Sequence, residues 1–275
     1  MAYYCQQPFR YGNEKILENL ENLSSKSFLT KLYNIYYKKY MDLDSVYIQY
    51  CNEILANSYY SHEAILKAYG LNSQVSYGGI DNGLFKKINI ERKNFILSVG
   101  FIKPHKGFDL VIKSIGKVPK DIRPDLKIVG YYSDVRWLNY LKELANLNEV
   151  NLEILVNISY DELVILYNEA KLFLFGSYLE PLGLVPLEAL SCGTPVIAVK
   201  EGGVRETVQH GKNGLLLDRD EDAFAKGIIE LLTNNELWEK FSKNGPDYVN
   251  NFWTLEHSGE RLLNHFYRIL EKNNE

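Results

Sequence analysis

From Asn94 onward the chain repeats one pattern: a short apolar run, a small residue, then a stretch with helical apolar spacing. Phe95-Ile96-Leu97-Ser98-Val99 runs into Gly100, and residues 108–117 follow with helical spacing. Leu126-Lys127-Ile128-Val129 ends at Gly130 before a second helical stretch, 135–147. Residues 152–156 precede a helix over 160–169, and 172–175 precede one over 184–191. Pro195-Val196-Ile197-Ala198-Val199 leads to a short helix over 204–210, and residues 214–217 read as a sixth strand. Strands alternating with helices through short loops predict an α/β domain built on a doubly wound parallel sheet. Further helical stretches cover 223–232, 236–249 and 255–271.

About the first 90 residues lack this pattern. Residues 16–23, 27–40 and 62–69 read as helical, and Val46-Tyr47-Ile48 and Ile54-Leu55-Ala56 are short apolar pieces. Val75-Ser76-Tyr77 reads as a short strand broken by Gly78-Gly79. No strand–glycine–helix unit opens the region, so it predicts only part of a domain. Residues 90–93 are polar and linker-like. The expected division is a partial domain with its linker over 1–92, a ligand-binding domain over 93–254 and a last helix over 255–275.

Bulk properties exclude several classes. A 275-residue chain that is 46% hydrophobic and 24% charged builds an ordinary globular core. The net charge is −4 with no basic block, which argues against nucleic acid as a partner. Three cysteines, Cys5, Cys51 and Cys192, form neither a disulfide framework nor a zinc site. A reducing compartment is the simplest setting. Met1 leads into a polar, aromatic stretch unlike a secretory leader, and no apolar run is long enough to span a membrane. A cytoplasmic chain is expected, with at most peripheral contact at the inner membrane face. Residues 26–40 interleave lysines with aromatics, which suits either a membrane-surface helix or a helix packing its aromatic face on a neighbour.

Three glycine-bearing loops follow predicted strands. In Phe175-Gly176-Ser177-Tyr178-Leu179-Glu180-Pro181-Leu182-Gly183, Glu180 stands at a loop mouth. Gly183 permits close backbone approach and opens a helix, and Pro186 fits the first turn. Glu188 is expected in that first turn as a second carboxylate. Carboxylates accept hydrogen bonds from sugar hydroxyls, and open N–H groups at a helix start attract phosphate. The plainer alternative is an acidic helix start favoured by the helix dipole. Val99-Gly100-Phe101-Ile102-Lys103-Pro104-His105-Lys106-Gly107 either cradles phosphate with Lys106 as its point charge or is an ordinary strand–helix turn. The order of residues is not that of a P-loop. Glu201-Gly202-Gly203-Val204-Arg205-Glu206 is either another backbone anion site or a tight turn. All three loops follow strands of one parallel sheet, so they gather on its ligand edge. Asp42-Leu43-Asp44 has the form of a metal clamp, although a solvated helix end explains it as well. No His or Cys cluster has metal-ligand spacing, and Cys192 reads as a small buried residue.

Taken together and in order, these motifs resemble the retaining GT-B glycosyltransferases of family 4. Three stretches carry the likeness: Val99-Gly100 to Lys106-Gly107, Glu180-Pro181-Leu182-Gly183 through Glu188 to Ile197, and Gly202-Gly203 through Glu206 to Gly214. Ala56-Asn57-Ser58 through Gly79-Ile80-Asp81 resembles the family's approach to its interdomain linker. Tyr3-Tyr4-Cys5-Gln6-Gln7-Pro8-Phe9-Arg10 resembles a Tyr-Cys-His-Thr-Pro-x-Arg segment of some members, with Gln6 in place of His. The resemblance implies a GT-B-like fold: one complete Rossmann-like domain and a partial N-terminal, acceptor-side domain lacking roughly 80–100 residues. The last helix would pack back on the N-terminal region.

The implied activity moves a sugar from a nucleotide-sugar donor to a glycan, lipid or other acceptor with retention of configuration. No metal or other cofactor is expected. By the same resemblance Glu180 and Lys106 are the catalytic candidates. Glu188 would hold the donor ribose, and Glu180 with the backbone at Gly183, Leu184 and Val185 would hold the transferred sugar. Lys106, and with it Lys103, would neutralise the diphosphate beside Gly100, and Val156 with Asn157 would face the base. Phe101 stands where the family often carries Arg, and Leu182 where Phe is common. A competing class is a non-catalytic or degenerate donor-binding subunit, whose exposed apolar surface calls for a partner chain or an oligomer.

Overall fold

The computed structural model describes residues 2–6, 43–44, 46–132 and 135–272. The helices expected over 16–23 and 27–40, the lysine–aromatic stretch, Gln7 to Arg10 and Asp42 all lie outside the described residues. The chain forms two compact units, Met1–Gly79 with Leu255–Glu275, and Ile80–Thr254.

In the first unit, strands β1 (Ala2–Cys5), β2 (Glu53–Ala56) and β3 (Gln74–Val75) form a parallel sheet in that order. Helix α1 (Tyr59–Tyr69) connects β2 to β3 and begins at Ser58, whose hydroxyl accepts from the Ser61 amide at 2.9 Å. Cys5, Ile48, Ile54, Ala56 and Ile65 form its core. The apolar piece at 54–56, the helix expected over 62–69 and the strand expected at 75–77 thus join into a strand–helix–strand unit, while β1 has no counterpart in the sequence pattern. Its strands are too short, and β1 too rich in half-buried tyrosine, to stand out by hydrophobicity. The last helix of the described chain, Leu255–Lys272, belongs to this unit, and Ser258 donates a hydrogen bond to the Tyr77 carbonyl at 3.1 Å.

The second unit carries a six-stranded sheet. Its strands are β4 (Lys93–Val99), β5 (Asp125–Val129), β6 (Leu152–Leu155), β7 (Ala170–Phe175), β8 (Val196–Val199) and β9 (Gly214–Leu217). All pairings are parallel, in the order β6-β5-β4-β7-β8-β9. Helices α2 (Phe108–Gly116), α3 (Val135–Leu147), α4 (Tyr160–Glu169), α5 (Leu184–Ser191), α6 (Val204–Thr207), α7 (Glu221–Thr233) and α8 (Asn235–Asn250) cover its faces. Burial on both faces explains the uninterrupted apolar runs: Phe95, Ile96, Leu97, Leu172, Phe173, Leu174, Ile197 and Ala198 are all buried. Each of the buried Phe, Ile and Leu side chains contributes about 1.5–3 kcal/mol. Strand order reverses between β4 and β7, so the crevice outside their carboxyl ends is the topological switch point.

Helix starts fall into two kinds. Those of α4, α7 and α8 are capped by the side chains of Ser159, Asp220 and Asn234, and Ser159 forms a capping box with Glu162. Those of α2, α5 and α6 begin at Gly107, Gly183 and Gly203 with no side-chain cap. The uncapped starts all follow strands at the carboxyl edge.

The units divide at Gly79–Ile80, earlier than residue 92, because residues 80–92 are hydrogen-bonded into the second unit. Asn168 accepts from the Ile88 amide at 2.9 Å and donates to the Lys86 carbonyl at 3.0 Å, and Ser191 donates to the Phe85 carbonyl. Arg92, inside the polar stretch that reads as a linker, is the strongest tie. Its guanidinium donates to the carbonyls of Tyr167, Ala170, Cys192 and Gly193 at 2.9–3.1 Å and to the Thr194 hydroxyl at 2.6 Å. It also lies over the Trp238 ring. Burial lowers its pKa to about 10, still far above neutrality. Arg92→Met keeps the stem but takes the guanidinium from four carbonyls, of which Tyr167 keeps the Thr194 hydroxyl as a donor, and each buried group left unsatisfied costs about 1–3 kcal/mol. Denaturant titration should show the variant less stable by about 3 kcal/mol; an unshifted midpoint would mean that water replaces the guanidinium without loss.

Candidate functional site

The three uncapped loops interlock through their backbones. Gly107 has φ 66°, and a Cβ there would stand 2.0 Å from the Gly176 carbonyl oxygen. Only glycine allows the loop after β4 to touch the loop after β7 so closely. The Tyr178 amide adds a hydrogen bond to the His105 carbonyl at 2.8 Å. From the other side the Gly203 amide donates to the Glu180 carbonyl at 2.7 Å, and a Cβ on Gly203 would lie 2.0 Å from the Pro181 oxygen. The backbone carrying Glu180 is thus pinned between two glycine loops.

That framework brings together two predicted residues far apart in sequence. Lys106 ends the short 3₁₀ turn Pro104–Lys106, and its Nζ lies 2.8 Å from Glu180 Oε2. The Ser177 hydroxyl donates to the same oxygen at 2.8 Å. The two charged side chains are only 18% and 20% exposed, so solvent screens this pair far less than a surface bridge. Lys103 immediately precedes the same turn, and Gly100 continues β4 by donating its amide to the Val129 carbonyl at 2.9 Å.

Glu188 lies deeper. It is the fifth residue of α5 and so stands beyond the first turn in which the sequence pattern placed it, because the helix opens at Leu184 and turns every 3.6 residues. Dipole stabilisation, which acts within the first turn, does not account for it there. The Tyr167 hydroxyl donates to Glu188 Oε2 at 2.8 Å. Burial pushes the Glu188 pKa up to about 7, and the Tyr167 hydrogen bond opposes part of that rise. Burial also pushes the Tyr167 hydroxyl well above its ordinary value, so it stays a proton donor. Leu184 is exposed and Val185 partly buried at the uncapped start of the same helix. Val156 is exposed just beyond β6, with Asn157 at φ 58°. That position is on the outer side of the sheet, separated from β4 by β5.

Two polar partners escaped the sequence pattern. Ser177 had a weak signal, a hydroxyl three residues before a carboxylate in a small-residue loop. Tyr167 had none, since its hydroxyl meets Glu188 from a different helix. Among the described residues no group of three or more His, Cys, Asp or Glu side chains is arranged to hold a metal ion. Asp44 instead accepts a hydrogen bond from the Tyr69 hydroxyl at 2.5 Å. No helix among the described residues is long and apolar enough to cross a membrane.

Chemically, the arrangement offers anion-binding N–H groups at helix starts, one cation close by, and two carboxylates in different environments. Comparison with known proteins places it in context. The profile of the family described as glycosyl transferases group 1 matches residues 81–248. The chain is 32% identical over 176 residues to "Uncharacterized glycosyltransferase MJ1178" of Methanocaldococcus jannaschii, covering 63% of this chain and 48% of that protein. It is 32% identical over 168 residues to a GDP-mannose-dependent phosphatidylinositol monomannoside mannosyltransferase of Corynebacterium glutamicum, covering 58% of this chain and 44% of that protein. The chain spans about half the length of the curated relatives it matches. The structure of Anabaena HepE in complex with UDP and glucose superposes with a TM-score of 0.74 at 21% identity, covering 80% of this chain and 64% of that one, a likeness of fold. The profile match runs over more than half the chain and includes all three glycine loops: the chain belongs to the glycosyl transferases group 1 family, of GT-B-like α/β fold.

Proposed function

We propose that the second unit binds a nucleotide-sugar donor and that the chain serves a retaining, metal-independent, family 4-type sugar transfer. One observation carries this reading: Lys106 and Glu180, from two loops, meet beside the uncapped start of α5, with Glu188 further along that helix. In this reading Glu188 accepts hydrogen bonds from the ribose hydroxyls. Glu180 and the backbone at Gly183, Leu184 and Val185 hold the sugar. Lys106, with Lys103 on the same loop, faces the diphosphate near Gly100, and Val156 and Asn157 lie toward the base. As the glycosidic bond breaks, charge grows on the departing diphosphate. A fixed ammonium there favours the transition state over the ground state. The acceptor is a hydroxyl of a glycan, a lipid or another molecule, and lipid acceptors would bring the protein to a membrane surface from the cytoplasmic side.

Relatives support more than one nucleotide. The mannosyltransferase above is named for GDP-mannose, and HepE was solved with UDP and glucose. Titrating UDP-glucose, GDP-mannose and ADP-glucose calorimetrically should show saturable binding of one of them. Glu188→Ala and Lys106→Ala should each weaken it on the order of tenfold or more, the loss of one charge-assisted contact at about 1.5–3 kcal/mol. A folded protein that binds none of the three sinks the reading. A second reading, a donor-binding subunit acting with a partner chain, is favoured by Phe101, which is 59% exposed where the resemblance to family 4 implies an arginine. Binding without donor turnover by the chain alone would select it.

Glu188 also gives a pH signature that needs no donor. Its pKa stands near 7 when folded, raised from 4.5. The folded state therefore holds a proton that the unfolded chain has lost between those values. The stability tied to this group is fully present below pH 4.5 and is lost as pH rises through 7. Glu188→Gln, which keeps the shape and the Tyr167 partner without ionising, should gain stability relative to the parent by about 2 kcal/mol between pH 5 and pH 8. A constant difference across that range would show that Glu188 ionises as an ordinary exposed carboxylate.

A further inference from the structure

We infer that Arg219, in the turn between β9 and α7, is a positioning residue for Glu180. It acts by clamping the backbone of the loop that carries Ser177 and Glu180. Its guanidinium is forked onto Glu201: Nε donates to Oε1 and Nη2 to Oε2, both at 2.8 Å. Nη1 donates to the Gly176 carbonyl at 2.7 Å and Nη2 to the Ser177 carbonyl at 3.1 Å. The plane of charge lies 3.4 Å from the centre of the Tyr178 ring. Three consecutive residues of one loop and the carboxylate of the next are thus held by a single side chain, only 16% exposed.

Nothing else in the turn does this work. Asp220 beside it caps α7, accepting from the Ala223 amide at 2.8 Å. A lysine could supply the charge but not the planar fork that meets a carboxylate and two carbonyls at once. Loop 176–180 leaves β7 and ends at Glu180, whose carboxylate is shared by Lys106 and Ser177. Holding the Gly176 and Ser177 carbonyls fixes the Ser177 hydroxyl, and that hydroxyl fixes the carboxylate. Glu201 completes the clamp, since its own loop presses Gly202 and Gly203 against the backbone of Glu180 and Pro181. Arg219 forms its hydrogen bonds to Glu201 and to the loop carbonyls, and none to Lys106, Glu180 or Glu188, so it acts through the loop.

The catalytic consequence rests on the donor-site reading above, while the clamp itself does not, and the test separates them. Hydrogen exchange on Arg219→Met should show faster exchange confined to residues 176–182 and 200–203, with the amides of β4 and β7 unchanged. Glu201→Gln, a milder change, should show the same pattern at smaller amplitude and covers the case in which Arg219→Met folds poorly. Unchanged loop exchange in both variants overturns the clamp. The second arm uses whichever of UDP-glucose, GDP-mannose or ADP-glucose the parent binds, with the matching free nucleoside diphosphate as control. Donor turnover should fall on the order of 10²-fold, as for a misplacement of about 1 Å. The Kd of the free diphosphate, held elsewhere in the site, should stay within about twofold, and Arg219→Lys should recover part of the turnover. Equal losses in turnover and diphosphate binding would make Arg219 a general structural residue and overturn the positioning role. If the parent binds no donor, the donor-site reading falls, and the exchange experiment alone decides the clamp.

Discussion

The close approach of Gly107 to Gly176 is the contact on which the site depends. At the switch point the loops leaving β4 and β7 touch backbone to backbone, with no room for a Cβ between them. That contact delivers Lys106, the neighbour of Gly107, to Glu180, four residues beyond Gly176. The second glycine contact, Gly203 against Pro181, closes the same backbone from the other side. Once these loops are seated, the side chains have few conformations left, so the charges stand in place before any ligand arrives. Preorganisation of this kind is where binding sites for transferred groups gain most. Glycines at the N-caps of α2, α5 and α6, Gly107, Gly183 and Gly203, leave these helix starts without a side-chain cap, and open first-turn N–H groups attract anions.

The two carboxylates show how environment divides one residue type into two roles. Glu180 sits between an ammonium and a hydroxyl donor, so its charge is compensated. Glu188 has one phenolic donor and much burial, and its pKa climbs to about 7. Carboxylates whose pKa is this strongly perturbed by burial cluster at functional sites. In the proposed donor complex the sugar and the ribose meet these two carboxylates in turn. Lys106 is a compact cation with three donors, suited to keep Glu180 while also facing a diphosphate.

Much of the second unit was legible in the sequence because parallel strands buried on both faces leave continuous apolar runs. The six strands fell within a residue or two of their positions, and helices α3, α4 and α5 matched their expected spans. The first unit was harder to read. Strand β1, Ala2–Cys5, has tyrosines rather than an apolar run, and its core is small. At the site, Lys106, Glu180 and Glu188 stood out from motif and context, yet the contact between Lys106 and Glu180 spans 74 positions and leaves no local trace. Arg92 and Arg219 show the limit most plainly. Each lies in a polar stretch that reads as solvated charge, and each spends its guanidinium on carbonyls from distant loops. Only tertiary structure reveals which surface-like arginine is a buried tie.

The most direct test of the central claim is a crystal structure of the chain with the donor that binds it. The account predicts diphosphate oxygens within hydrogen-bonding distance of Lys106 Nζ, the sugar on Glu180 and the first-turn amides of α5, and the ribose hydroxyls on Glu188. A nucleotide bound away from the Gly107–Gly176 crevice, or one that leaves Glu188 and Lys106 untouched, would contradict it.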